Sequence, residues 1–147
     1  MENKDWVLLV LSFAEGAALT PTQIQKALFL IQHELGSEPG ERPAYDFVPY
    51  QNGPYAPEVT IDAYELVLQG FARTARAQNG SPTHSLTNSG SLRALALRCD
   101  IGADAVKRSQ KIVTWIRGHA LAVVVREIGR QFPQYQPSST YGFRVAA

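Results

Sequence analysis

The sequence feature that most restricts the fold of this chain is a helix pattern followed directly by a β-hairpin pattern. The first of these is a predicted helix over 58–69, opened by a proline and ended by Gly70. Two runs of strand-forming residues follow at once, over 71–77 and 83–87. Asn79-Gly80 lies between them and tolerates the positive φ angles of a hairpin turn. We therefore expect a small two-stranded wing.

Two helices are predicted before this unit. Asn3 is the expected cap of the first, which ends near Gly16. The second has the stronger start signal, because Thr20 precedes Pro21 and Gln23 lies three residues after the cap. Apolar residues then recur at helical spacing as far as Leu35.

Three helices are predicted after the wing. They span about 88–97, with Asn88 or Ser89 as cap, then 103–117 and 119–131. The order of elements predicts a mainly α fold with a small β-hairpin wing, an α+β winged-helix-like core with extra C-terminal helices. We expect one domain over 1–132, with 133–147 forming a tail packed on its surface.

A long connection rich in aromatic residues separates the second and third helices. A strand is predicted over 45–50 and a turn over 51–54. The connection carries four aromatic side chains within eleven residues: Tyr45, Phe47, Tyr50 and Tyr55. They either fill the core beneath the connection or form a contact surface, for which tyrosine is well suited. Both hold if alternate side chains point inward and outward.

The composition favours an ordinary globular protein. The longest apolar runs are too short to span a membrane, and the first residues lack the pattern of a signal peptide. Cys99 is the single cysteine, and we expect it to be a small buried hydrophobic residue. These features predict a cytoplasmic protein with no disulfide.

Charge is divided unevenly along the chain. Residues 1–70 carry three basic and ten acidic groups, whereas residues 71–147 carry eleven basic and three acidic groups. The two halves either neutralise one another in the fold or present a two-faced surface to a charged partner.

No pattern in the sequence indicates catalysis. The three histidines are dispersed, no glycine-rich phosphate loop is present, and no nucleophile elbow occurs. We therefore predict a protein without catalytic residues, cofactor or metal.

The chain resembles two families. Leu86 and Thr87 are similar to the strand end of PadR- and MarR-type winged-helix regulators. A closer resemblance over about 20–97 is to the Panacea group, the SocA-like antitoxin-associated proteins. It is carried by short motifs: Lys26-Ala-Leu-Phe-Leu30, Tyr45-x-Phe47-x-Pro49-Tyr50 and Gly53-Pro54-Tyr55, and more weakly by Phe132-Pro133-Gln-Tyr135. The resemblance implies a helical, winged-helix-like domain that acts by protein contact, often near a toxin.

Two kinds of partner follow from these patterns. The first is a partner protein, for which the resemblance suggests a toxin. We expect it to contact Tyr50 and Tyr55 together with three carboxylates predicted on the outer face of the third helix: Glu58, Asp62 and Glu65. Such an acidic helix is a poor reader of DNA, because phosphates repel carboxylates.

The second is nucleic acid, bound as by a winged-helix regulator. Two groups of basic residues are candidates for phosphate contact: Arg73 and Arg76 on the wing, and Lys107, Arg108 and Lys111 on a later helix. This alternative also predicts a homodimer formed through the helices after residue 100.

Overall fold

The computed structural model describes residues 1–36 and 41–136. The protein is mainly helical with two small antiparallel hairpins. The helices are α1 (Asn3–Phe13), α2 (Pro21–Glu34), α3 (Pro57–Leu68), α4 (Asn88–Arg117) and α5 (Leu121–Gln131), followed by a 3₁₀ turn over Pro133–Tyr135. The strands are β1 (Val48–Tyr50), β2 (Gly53–Tyr55), β3 (Ala72–Arg76) and β4 (Pro82–Leu86). The part of the predicted tail beyond residue 136 lies outside the described residues.

Helix α1 is the centre of the core. Seven of its eleven residues are buried, from Trp6 to Phe13, so it is apolar on every side. A helix of this kind must be covered all round. Helices α2, α3 and α4 and strand β4 pack against it.

The helix starts confirm one predicted cap and correct two. Thr20 Oγ1 accepts a hydrogen bond from Gln23 N, and the Gln23 side chain accepts one from Thr20 N, as predicted. The cap of α1 is Glu2 and not Asn3, because Glu2 and Asp5 form the reciprocal pair. The cap of α4 is Thr87, one residue before the predicted Asn88, because its hydroxyl accepts from Gly90 N.

The antiparallel hairpin predicted after the third helix, called the wing below, is present. Strands β3 and β4 pair in antiparallel register from Ala72–Leu86 to Arg76–Pro82. A further bridge joins the α1–α2 loop to this hairpin, since Leu19 and His84 exchange backbone hydrogen bonds of 2.9 and 2.8 Å.

The prediction of a turn over 51–54 is wrong, because the turn is shorter than predicted. Gly53 and Pro54 belong to β2, which pairs with β1, so the connection contains a second hairpin with only Gln51 and Asn52 at its tip. The strand predicted over 45–50 is likewise only three residues long. Pairing begins at Val48, where a partner strand exists.

Three amide side chains hold the connection against the helices. Gln25 donates to Ala56 O and accepts from Ala56 N, both at 2.9 Å. Gln32 makes the same two-way contact with the backbone of Tyr45, and Asn3 makes it with Ala44. Each amide therefore satisfies the backbone of a segment that has no strand partner there.

Helix α4 contains a break where the sequence predicts two helices. Gly102 has φ 86 and ψ 163, which interrupts the helix between the predicted segments. Cys99 is exposed, which corrects the prediction that it is buried. It follows the buried Leu97 by two positions and so lies on another side of the helix.

Ion pairs join the two oppositely charged halves of the chain. Arg108 contacts Glu34 at 3.2 Å, and Arg93 approaches Asp5 at 3.8 Å. The interpretation in which the halves neutralise one another is therefore favoured at these two places.

Candidate partner-binding surface

The aromatic connection serves both the core and the surface. Tyr45 is buried, and Phe47 packs against the core. Tyr50 is 47% exposed, and its ring lies 5.3 Å from the half-buried ring of Tyr55. The segment therefore has both inward-pointing and outward-pointing aromatic side chains, so it contributes to the core and to the surface together.

The carboxylates of α3 are not equivalent. Tyr45 donates its hydroxyl proton to Asp62 at 2.5 Å, and burial together with this bond raises the pKa of Tyr45. Lys4 contacts Glu65 at 2.8 Å, and this hydrogen bond raises the pKa of the lysine. Of the three carboxylates, Glu58 alone has neither an ion pair nor an assigned side-chain hydrogen bond within the described part of the chain. Two of the three predicted contact carboxylates are thus held by the protein itself.

Helix α3 has a stripe of exposed apolar side chains that was not predicted from the sequence. Ile61, Tyr64 and Leu68 are 60%, 45% and 86% exposed, and their spacing places them along one side of the helix. The buried side consists of Val59, Ala63 and Leu66. The sequence contains the signal for this stripe, because α3 has apolar residues at helical spacing on both of its sides and not on one alone.

The predicted contact residues flank this stripe on opposite sides. At 3.6 residues per turn, Ile61 and Leu68 lie directly opposite the buried side, with Glu58 and Glu65 beside them. Asp62 lies nearer the buried side and is half-buried, which corrects its predicted place on the outer face. The two tyrosines of the β1–β2 hairpin line a cavity with Thr60, on the other flank.

The wing holds the first group of predicted nucleic-acid contacts. Arg73 and Arg76 are exposed on β3, and Arg76 donates to Gly80 O at 2.6 Å. Both are therefore available at the surface of the hairpin.

The second group of predicted nucleic-acid contacts is not a uniform stripe. Arg108 is held by Glu34 and by Asp104, whereas Lys107 is exposed and has no ion pair within the described residues. Lys111 lines a cavity of about 570 Å³ between α2, α4 and α5, together with Trp115.

The motifs that carry the Panacea resemblance contact one another. Lys26 Nζ donates to Pro54 O at 3.1 Å, which joins the first motif to the Gly-Pro-Tyr motif. The ring of Phe29 packs edge-on against Phe47 at 5.3 Å and Tyr135 at 4.8 Å. These short motifs therefore have structural roles at one place in the fold.

Lys26 is a buried cation. It is 2% exposed, it has no ion pair within the described residues, and burial lowers its pKa to about 8. The titratable groups beside it are Tyr50 and Tyr55 on one side and His119 on the other. Among the described residues, no carboxylate lines either cavity that Lys26 borders.

We expect this lysine to make stability rise with pH in the alkaline range. Below about pH 8 the amine is charged in both states, and the fold bears the full cost of the buried charge. Above that pH the folded state has lost the proton while the unfolded state keeps it. The free energy of unfolding should therefore increase by roughly 2 kcal/mol between about pH 8 and 10. Above that range the raised pKa of Tyr45 opposes the effect, since the unfolded tyrosine ionises first.

Urea denaturation at pH 8, 9 and 10 measures this slope. Lys26→Met should abolish it, whereas Lys111→Met, a change at an exposed lysine, should leave it intact. An equal slope in the wild-type protein and in Lys26→Met would show that another group titrates.

The described residues contain no cluster of three or more metal-ligating side chains. Across the same ranges, no helix combines the length and apolarity needed to cross a bilayer. No family model, curated protein or solved structure matches the chain.

Proposed function

We propose that the chain is a non-enzymatic protein-binding module with a winged-helix-like core, of the antitoxin-associated kind that its motifs resemble. The order of α1, α2, α3, β3 and β4 supports this core. The Leu19–His84 bridge adds support, because it places a third strand position beside the wing.

The single observation that carries the proposal is the exposed stripe on α3. Ile61 and Leu68 are 60% and 86% exposed on a helix whose other side is in the core. Exposed apolar side chains in a row, bordered by polar groups, are typical of contact surfaces. Glu58 and Glu65 border this row, so the partner that fits best has an apolar patch with a basic rim. A toxin with such a surface is the candidate occupant.

The contact stripe yields a direct prediction. Ile61→Ser with Leu68→Ser should reduce capture of the partner about tenfold or more, because anchoring apolar residues dominate binding energy. Both side chains are exposed, so the melting temperature should change little. Capture on immobilised full-length protein from a lysate of the source cells, quantified by mass spectrometry, measures the loss.

The matched control is Leu92→Ser with Leu95→Ser. These leucines are 70% and 59% exposed on α4, away from the stripe. A specific partner should still be captured by this variant. Equal losses in the two double variants would mean that the captured protein binds exposed apolar surface without specificity, which contradicts the proposal.

DNA binding is the second candidate function, supported by the exposed Arg73 and Arg76. The composition of α3 argues against it, since this helix contains no Lys or Arg to meet phosphates. Fluorescence anisotropy with random and native-upstream duplexes, at low and near-physiological salt, separates the candidates. Binding to the upstream duplex that survives the higher salt and is lost in Arg73→Ala/Arg76→Ala would favour a regulator.

A further inference from the structure

The buried charge of Lys26, which has no ion pair within the described residues, is the most unusual feature of the core. The ammonium group has three N–H donors, and Pro54 O is the one hydrogen-bond acceptor assigned to it within the described residues. A buried charge is normally paired, because removal from water is costly. The position therefore has the capacity to bind an anion.

A small cavity adjoins this lysine. It has a volume of about 140 Å³ and lies between the start of α2, the β1–β2 hairpin and α3. Its polar lining consists mainly of hydroxyl and amide groups: Thr22, Tyr50, Asn52, Tyr55 and Thr60. No carboxylate of the described residues lines it, although the first 70 residues of the sequence carry ten acidic groups.

The start of α2 contributes to the same electrostatic preference. Pro21 and Thr22, the first two residues of this 14-residue helix, also line the cavity. The positive end of a helix dipole favours an anion. The positive end of the helix and the charged lysine therefore both favour an anion in this cavity.

A second cavity, of about 440 Å³, borders Lys26 on its other side. It reaches the wing tip and the α4–α5 junction, where Ile116, Leu121 and Val124 form apolar walls. Hydroxyl and amide groups line both cavities, but the smaller one, of about 140 Å³, is the better match in size for a compact polar group.

We propose that Lys26 anchors a binding site for a small oxyanion, a carboxylate or a phosphate group, in the cavity enclosed by the start of α2, the β1–β2 hairpin and Thr60. The bound anion bridges α2 and the hairpin, so it holds Tyr50 and Tyr55 against the helix. This anion site is independent of the proposed protein-binding function, because it depends on Lys26 and not on the α3 stripe.

Thermal unfolding of the full chain tests the proposal. At pH 7, where Lys26 is charged, sodium phosphate or sodium acetate replaces sodium chloride at constant ionic strength. A saturable rise in melting temperature of several degrees is expected with the anion that fits. A rise with phosphate alone identifies a phosphate site, and a rise with acetate identifies a carboxylate site. No rise with either anion overturns the proposal.

Variants locate the site. Lys26→Met should abolish the rise and Lys111→Met should retain it, while circular dichroism verifies that both variants are folded. Tyr55→Phe and Asn52→Ala should weaken binding severalfold in isothermal titration, whereas Asn79→Ala and Ser81→Ala, in the second cavity, should not. A rise that persists in Lys26→Met, or that is lost only in the second-cavity variants, overturns this assignment.

Discussion

Replacing Gly90 by alanine is expected to destabilise the protein by about 3 kcal/mol. A Cβ atom at this position would lie 1.9 Å from the backbone oxygen of Phe71, far inside van der Waals contact. That oxygen cannot move away easily, because it accepts a hydrogen bond from Thr87 N at 3.1 Å. The hydroxyl of Thr87 in turn donates to Gly70 O at 2.6 Å. The start of α4 is thus fixed against the start of the wing.

Whether Gly90→Ala lowers or raises the free energy of unfolding shows whether packing or helix propensity dominates at this position. Alanine is favoured over glycine inside a helix by roughly 1 kcal/mol, so propensity alone predicts stabilisation. Urea denaturation of Gly90→Ala measures the difference, with Ser89→Ala at the neighbouring exposed position as control. If Gly90→Ala proved as stable as the wild-type protein, α4 would not approach β3 as closely as described.

The sequence predicts those parts of the fold that depend on neighbouring residues. Thr20, Pro21 and Gln23 determine where α2 begins, and the structure has the same reciprocal cap. Asn79-Gly80 likewise identifies the place of the wing turn, although of the two only Gly80 adopts a positive φ, of 86°. Helix starts and tight turns are local chemistry, so their signals lie within a few residues.

The missed features depend on residues distant in the chain. Gln25 and Ala56 are separated by 31 positions, and no local pattern indicates that they form a pair. The β1–β2 hairpin was missed because Pro49 and Pro54 occur opposite each other, which a sequence argument takes as evidence against strands.

The candidate surface was predicted only in part, for a related reason. The tyrosines were predicted from residue type and the carboxylates from helical spacing, but Tyr45 and Lys4 occupy two of the carboxylates through tertiary contacts. The apolar residues Ile61 and Leu68 were readable from spacing. Apolar residues recur at helical spacing on both sides of α3, and Ile61 and Leu68 belong to the side away from the core.

Gln25→Leu should have the other large effect, a loss of about 4 kcal/mol in the free energy of unfolding. Leucine is close to glutamine in size, so the change leaves little cavity. It leaves Ala56 N–H and C=O, on a residue with no exposed surface, without the partners that Gln25 now provides. Each buried backbone group left without a partner costs about 1–3 kcal/mol.

A graded series tests whether burial determines this cost. Gln32→Leu removes the same two-way contact at Tyr45, but this position is only partly buried, so water can replace some of the lost bonds. Gln134→Leu changes an exposed glutamine with no assigned hydrogen bond and should be neutral. Urea denaturation should therefore order the losses as Gln25, then Gln32, then Gln134. Equal losses at the first two positions would contradict the role of burial. A negligible loss at Gln25 would mean that the connection between α2 and α3 is held by its aromatic side chains, with Phe29 and Phe47 as the main contact, and not by the amides.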